Sequence, residues 1–182
     1  ETEAKRKKLY PVLKYAKSLE EYKRKACLDG DKLIIKGKAY TTETLHKLPD
    51  NLNPEKVCTR TQNGITAFYR SGAPLSNFHY AKFDLDGKQF TCVEQVIWYK
   101  CAKMFGDDPT ANMILNCDDP AEQKRLGKRV LGSSPNVDTK LWSETMPEII
   151  SAAAKAKFTQ NVHLRDYLKG TSPNILAEAN PH

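Results

Sequence analysis

The sequence predicts an α+β fold: a predominantly helical domain with a small antiparallel sheet, plus a small N-terminal helix-hairpin appendage. Three observations lead there. Asp86-Gly87 separates two short strand-like runs, Tyr80 to Leu85 and Lys88 to Cys92, as the turn of a hairpin. From Val93 onward the chain carries helical periodicity punctuated by cap-and-proline signals. Residues 50–64, with two Asn, Pro54 and Asn63-Gly64, have the composition of a linker and set this region apart from a lysine-rich first third.

The elements follow in order. Lys5-Arg6-Lys7-Lys8 opens a segment that reads as helix through Lys17 and Tyr22 to Leu28, with Pro11 kinking or starting it. Asp29-Gly30 is a turn, Leu33-Ile34-Ile35 a strand, Gly37-Lys38 a second turn and Ala39-Tyr40-Thr41-Thr42 the partner strand. Residues 1–49 therefore form a basic helix and hairpin unit, 50–64 a linker, and 65–182 the main domain. Within the last, Ile65 to Arg70 is strand-like. After the Asp86-Gly87 hairpin everything is expected to be helical. Asp108-Pro109 and Asp119-Pro120 match the N-cap-then-proline signature, and Glu122 adds a capping-box acid. Thr145-Met146-Pro147-Glu148 and Ser172-Pro173 are expected to start two more helices, with Gly170 ending the one between.

A chain of 182 residues can bury a real core without a metal or disulfide staple. Residues 1–60 hold 15 Lys+Arg against 9 Asp+Glu and residues 61–182 hold 14 against 13, so nearly all of the basic excess belongs to the first third. No apolar run approaches the ~18–20 residues that cross a bilayer, and no h-region follows the basic N-terminus. Five cysteines without a CxxC pair indicate neither a disulfide framework nor a zinc cluster. The four histidines lack ligand spacing, so no metal and no cofactor are expected. The expected setting is a reducing compartment, cytoplasmic or nuclear, for a protein that is not secreted and has no membrane partner.

The most informative stretch is Val93 to Phe105, VEQVIWYKCAKMF, which places Glu94 at the start of an amphipathic helix just after the hairpin. At about 100° per residue the position seven residues on lies only about 20° away, two turns along the same face. That position is Cys101, with Trp98 between. Lys100 points roughly 120° and Lys103 about 180° from Glu94. Taken alone, Glu94 reads as a first-turn charge favoured by the helix dipole by ~0.3–1 kcal/mol.

Taken together, Leu75-Ser76-Asn77-Phe78, the Glu94 helix, Phe105-Gly106-Asp107, Asp119-Pro120-Ala121-Glu122-Gln123-Lys124, Leu126-Gly127-Lys128-Arg129-Val130 and Trp142 resemble the NADAR family, also called YbiA-like proteins, from about residue 66 to the end. The resemblance implies an N-glycosidase fold that recognises ADP-ribose or related ribose phosphates. Its members are associated with removing ADP-ribose from guanine in nucleic acid and with cleaving N-glycosidic bonds of early riboflavin intermediates. Glu94 matches the family's glutamate, and an acid there fits the chemistry, because breaking a ribose C1–nitrogen bond builds positive charge on the sugar.

The family usually carries a lysine nucleophile where this chain has Cys101. A cysteine could attack in its place if a cation lowered its pKa, but a helical cysteine among apolar neighbours is usually inert core; the third alternative is that a lysine elsewhere, or Lys100 in a distorted helix, reaches the sugar. Asn77 matches the family's Asn and fits a ribose hydroxyl or a base edge, or else bonds its own turn backbone. Phe68, Tyr69 and Phe78 are candidate pocket aromatics, with a core role as the alternative; Arg70, Trp98 and Trp142 complete the candidate substrate-binding set. Lys128 and Arg129 follow Gly127 where the family usually has Gly-Arg. There a glycine admits a phosphate to the backbone and a cation answers its charge, unless this is, with Lys124 and Arg125, a solvated basic helix face.

Family members typically continue past the Ala177-Glu178-Ala179 region into an acidic residue and a Trp-Gly segment. The sequence given stops at His182, so that part of the pocket wall is either missing or outside it. The expected partner is ADP-ribose or ADP-ribosylated guanine nucleic acid. Residues 1–60, whose Lys/Arg alternate with Tyr10, Tyr15 and Tyr22, are a possible nucleic-acid contact or a helix face packed on the main domain. The competing readings are a non-catalytic ADP-ribose-binding module and a nucleic-acid-binding protein.

Overall fold

The computed structural model describes residues 26–29, 32–35, 38–40, 58–133 and 137–179, the first three groups as backbone strands. The chain divides into two compact units, Glu1–Ser76 with Pro173–His182, and Asn77–Ser172.

In the first unit β1 (Ala26–Asp29), β2 (Lys32–Ile35) and β3 (Lys38–Tyr40) form an antiparallel meander, with Leu28 opposite Leu33 and Leu33 opposite Tyr40. Most of the N-terminal helix expected from the sequence lies outside the described residues; its last part, Ala26 to Leu28, belongs to a strand instead. The pairing partner is Leu33-Ile34-Ile35, an apolar, isoleucine-rich run whose edge away from β3 takes up the backbone groups of Ala26 to Leu28.

A second sheet has the order β4-β5-β8, from Thr59–Gln62, Ile65–Phe68 and Ile175–Glu178. Residues 59–62 fall in the stretch read as a linker. They pair antiparallel with β5 because Asn63-Gly64, at φ 52 and 73, makes the tight hairpin turn whose backbone twist matches that of the strands. Strand β8 corrects two further expectations. Ser172-Pro173 does not start a helix, and the sheet is mixed, since β8 runs parallel to β5 with Ile65 opposite Ile175. Ile175 N donates to Gly64 O and Ala179 N to Phe68 O, each at 2.8 Å, while Asn174 Nδ2 reaches Thr66 Oγ1 at 3.1 Å. An open strand edge thus satisfies backbone groups that a helix of so few residues would nucleate poorly.

The second unit holds the hairpin β6 (Phe83–Leu85) and β7 (Lys88–Phe90) and five helices: α1 (Val93–Met104), α2 (Asp108–Leu115), α3 (Pro120–Ser133), α4 (Thr139–Gln160) and α5 (Val162–Gly170). Asp86 and Gly87, at φ 52 and 70, form the predicted turn. A two-stranded hairpin is marginal alone. Here burial of Phe83 and Phe90 secures it, together with Gln160 of α4, which exchanges hydrogen bonds with the backbone N–H and carbonyl of Asp84, both 2.8 Å.

Helix α1 is central, packed on α2, α3 and α4. Its face of Val96, Ile97, Trp98, Tyr99 and Ala102 joins Ile114, Leu126, Val130 and Ala153 in one apolar cluster. Cys92 caps it, its sulfur accepting from Gln95 N at 3.4 Å. Helix α2 is capped by Asp107, whose carboxylate accepts from Thr110 N at 2.9 Å. The cap is thus one residue earlier than Asp108, and Pro109 sits in the first turn, where a missing N–H removes no helical bond.

Asp119 bonds Ala121 N as its motif implies, but Glu122 pairs with Arg125. Helix α4 begins at Thr139, with Asp138 accepting from Lys140 N and Leu141 N. Pro147 therefore lies inside it rather than starting it. The strong cap and the buried Trp142 hold the preceding two turns helical despite the bond a proline forfeits.

Two buried glutamines join the helices. Gln95 Oε1 accepts from Thr91 N at 2.8 Å and its amide donates to the carbonyls of Ile114, Leu115 and Cys117. Gln123 donates to the Cys117 carbonyl at 2.6 Å and accepts from the Cys92 thiol at 3.3 Å. The carbonyls at the end of α2 are thereby satisfied by α1 and α3.

Helix α3 packs tightly on α1 at Gly127, where an added Cβ would lie 2.2 Å from Trp98 Cε3 and 2.6 Å from Trp98 Cβ. Gly132 of the same helix has open space. Gly127→Ala is expected to lower stability by about 1–3 kcal/mol through overpacking, outweighing its gain in helix propensity. Gly132→Ala should raise it by up to about 0.5–1 kcal/mol. Thermal denaturation checks the pair; a shift of the same sign for both would contradict the packing described.

Candidate functional site

The site grows from the N-terminus of α1. Glu94 N donates to the Asn77 carbonyl at 3.0 Å, tying Asn77-Phe78 to the first turn. The Glu94 side chain is 6% exposed, and burying a carboxylate is costly by several kcal/mol unless donors meet it. Trp98, one turn on, donates its indole N–H to Oε1 at 2.8 Å. Lys124 Nζ, from α3, stands 3.6 Å from the same oxygen with its side chain 42% exposed, and lies 5.3 Å over the Phe78 ring. The helix N-terminus adds its own favourable field. The result is a buried acid with an indole donor on its own helix and an ammonium from the neighbouring one, beside the part-exposed Asn77 and Phe78.

Trp98 is itself held. Its ring lies against Gly127 and 6.1 Å from the ring of Trp142, and both indoles are buried. The structure gives Gly127 a packing role: it faces Trp98, so the expectation that it admits a phosphate to the backbone is corrected. Lys128 and Arg129 are exposed on α3, Lys128 one turn beyond Lys124 on the same face. Phe68, half-buried, and Arg70, exposed, belong to the first unit. Arg70 adopts a left-handed φ of 67 with its guanidinium 4.9 Å over the Tyr69 ring.

Cys101 is fully buried in the apolar cluster, and burial pushes its thiol up to about 12. It is a protonated thiol at neutral pH, the inert form. The lysines nearest it in sequence are engaged elsewhere, Lys100 with Asp86 and Lys103 with Asp108.

Two lysines escaped the sequence reading. Lys124 reads there as part of a solvated basic face, yet it falls one turn after the buried Pro120 and one turn before Gly127, at the edge of the packed stripe. Lys157 sits at 1% exposure on the stripe of α4 that carries Ala153 and Ala156. Its ammonium is 4.9 Å over the Phe158 ring, and burial pushes it down to about 7, opposed by the nearby Cys92. Cys92 in turn is pushed up to about 12, chiefly by burial. A lysine at an apolar-stripe position was the available signal.

Among the described residues no three or more His, Cys, Asp or Glu side chains are grouped to hold a metal, and no helix is long and apolar enough to cross a membrane.

A profile of the NADAR domain matches residues 67–182. The chain belongs to the NADAR domain family. It is 32% identical over 128 residues to Protein irg-1 of Caenorhabditis elegans, covering 63% of this chain and 59% of that protein. To the chloroplastic riboflavin biosynthesis protein PYRR of Zea mays it is 30% identical over 133 residues, 66% of this chain and 21% of that one. To N-glycosidase R617 of Acanthamoeba polyphaga mimivirus it is 29% identical over 100 residues, 53% and 56%. The chain thus spans well under two thirds of the length of each. The NMR structure of the E. coli protein YbiA shares the fold, with a TM-score of 0.57 at 24% identity over 73% of this chain and 76% of that one. The NADAR match takes in every candidate residue from Phe68 to Trp142.

The buried groups of this NADAR domain make its stability depend on pH. Unfolded, Lys157 keeps its proton to about 10.5; folded, it releases it near 7. Between those values the unfolded chain binds more protons, so stability rises with pH. Above about 9 the effect reverses, because unfolded cysteines ionise there while Cys92 and Cys101 hold their protons to about 12. Urea denaturation should show stability rising by about 2 kcal/mol from pH 7 to 9. A flat profile is expected for Lys157→Met, and an unchanged rise in that variant would assign the effect to another group.

Proposed function

We propose that this chain is an N-glycosidase, a hydrolase that cleaves the bond between ribose C1 and nitrogen, and that it removes ADP-ribose from ADP-ribosylated guanine in nucleic acid. The observation that carries this reading is the buried Glu94 carboxylate held by Trp98 and Lys124 beside the half-exposed Asn77 and Phe78. A carboxylate so placed stabilises the positive charge that develops on the ribose ring and positions the attacking water. Asn77 offers an amide to a ribose hydroxyl or a base edge, and Phe78 a ring face. Lys128 and Arg129 answer the phosphate charges from the exposed side of α3. The basic residues 1–60 contact the nucleic acid. The relative named N-glycosidase R617 supports the reaction class.

A second reading, cleavage of the N-glycosidic bond of early riboflavin intermediates, is favoured by similarity to the PYRR proteins of Zea mays and Arabidopsis thaliana. The inert Cys101 favours a third, an ADP-ribose-binding module without turnover.

Chromatographic assay of ADP-ribose released from an ADP-ribosylated guanine oligonucleotide separates them. The wild-type chain should release it, and Glu94→Gln, which keeps shape but not charge, should lose about 10²–10⁴-fold in rate. Full activity in Glu94→Gln would remove Glu94 from the chemistry. Release from a riboflavin intermediate alone would select the second reading, and calorimetric binding of ADP-ribose with no release from either substrate the third.

A further inference from the structure

Breaking a ribose C1–nitrogen bond leaves an electron pair on the departing nitrogen, and for guanine that pair is met by a proton. Glu94 lies buried as the carboxylate facing the sugar, so a second group has to supply it. Helix α1 does not. Cys101 is enclosed in the apolar cluster, Lys100 is bound to Asp86 and Lys103 to Asp108.

Helix α3 does supply one. Lys124 crosses from α3 to stand 3.6 Å from Glu94 Oε1, and Phe78 lies under its ammonium at 5.3 Å. Glu94 is 6% exposed and Lys124 42% exposed, so the amine stands outside the carboxylate, where an incoming base would be met. Its reach is fixed from below, because Gly127, one turn further along α3, lets that helix close onto the Trp98 ring.

We propose that Lys124 is the general acid that protonates the departing nitrogen, and that its contact with Glu94 resets both groups after each turnover; this rests on the N-glycosidase reading. The C1–N bond breaks, its electron pair goes to the nitrogen, and that nitrogen takes a proton from the Lys124 ammonium, leaving a neutral amine. The oxocarbenium at C1 is stabilised by Glu94. A water oxygen then bonds to C1 while the water gives one proton to the Glu94 carboxylate. Glu94 passes that proton across the 3.6 Å contact to the Lys124 amine. One water is consumed, a sugar hydroxyl and a base N–H are formed, and nothing is oxidised or reduced.

The test uses the full chain, with Lys124→Arg and Lys124→Gln, on two substrates: an ADP-ribosylated guanine oligonucleotide, and ADP-ribose carrying 4-nitrophenolate at C1, which departs without a proton. Arginine keeps a positive charge beside Glu94 but is a poor proton donor. Both variants are expected to lose about 10²–10³-fold in kcat on the oligonucleotide with KM within about threefold, and less than tenfold on the nitrophenyl compound. Lys100→Gln should match wild type on both. Near wild-type rates in Lys124→Arg would make Lys124 a fixed charge only, and equal losses on the two substrates would make it a binding group. Either result overturns the acid role while wild-type release keeps the N-glycosidase reading. A wild-type chain that releases neither product overturns both.

Discussion

The contact between Trp98 and Gly127 is the constraint on which the site depends. A side chain at 127 would collide with the indole, so the absence of a Cβ sets how near α3 comes to α1. Two groups are placed by that one distance. Trp98, its ring fixed between Gly127 and Trp142, aims its N–H at Glu94, and Lys124, one helical turn before the glycine, brings its ammonium to the same oxygen. A buried carboxylate is stable only with such donors in place, so the packing of two helices and the charge state of one side chain are coupled. This is a case where shape complementarity in an apolar core determines an electrostatic arrangement at its edge.

The polar groups buried around the start of α1 divide into two kinds. Gln95 and Gln123 are structural: they carry no charge, and their amides satisfy the carbonyls at the end of α2. Their full pairing is what makes them compatible with near-zero exposure. Lys157 and Cys92 are titratable, and in both burial favours the neutral form, which moves the lysine down and the thiol up. A core region built this way favours the neutral amine and the neutral thiol together.

Much of this was legible in the sequence, and what was not has definable causes. Asn63-Gly64 and Asp86-Gly87 specify their hairpins because left-handed backbone is needed at both central positions. Glu94, the buried face of α1 and the apolar character of Cys101 follow from helical periodicity. The Asp108 cap was displaced by one residue because Asp107 is equally able to cap, accepting from Thr110 N, and the first turn tolerates Pro109 with either cap. Pro147 and Pro173 mislead for one reason. A proline marks a local break, but a buried Trp142 upstream of the first and an unfilled edge of β5 beside the second decide the outcome through contacts distant in sequence. Lys124 was hidden for the same reason, since its partner Glu94 lies thirty residues away on another helix and a local count of charges cannot see it.

The substitution at position 101 then takes on a different meaning. Two turns beyond Glu94 on the same face, the side chain points into the cluster formed by α1, α2, α3 and α4, where a small apolar group packs and a charged one would need a partner. Cysteine fits that position as a hydrophobe, and the cation that the carboxylate requires arrives from α3. Pairing across two helices depends on their spacing, whereas pairing within one helix depends only on its pitch. A site whose charge is completed across the interface is therefore more sensitive to core packing than one completed within α1. The residue through which that sensitivity acts is Gly127, whose missing Cβ lets α3 close onto Trp98 and so sets the spacing across which Glu94 and Lys124 meet.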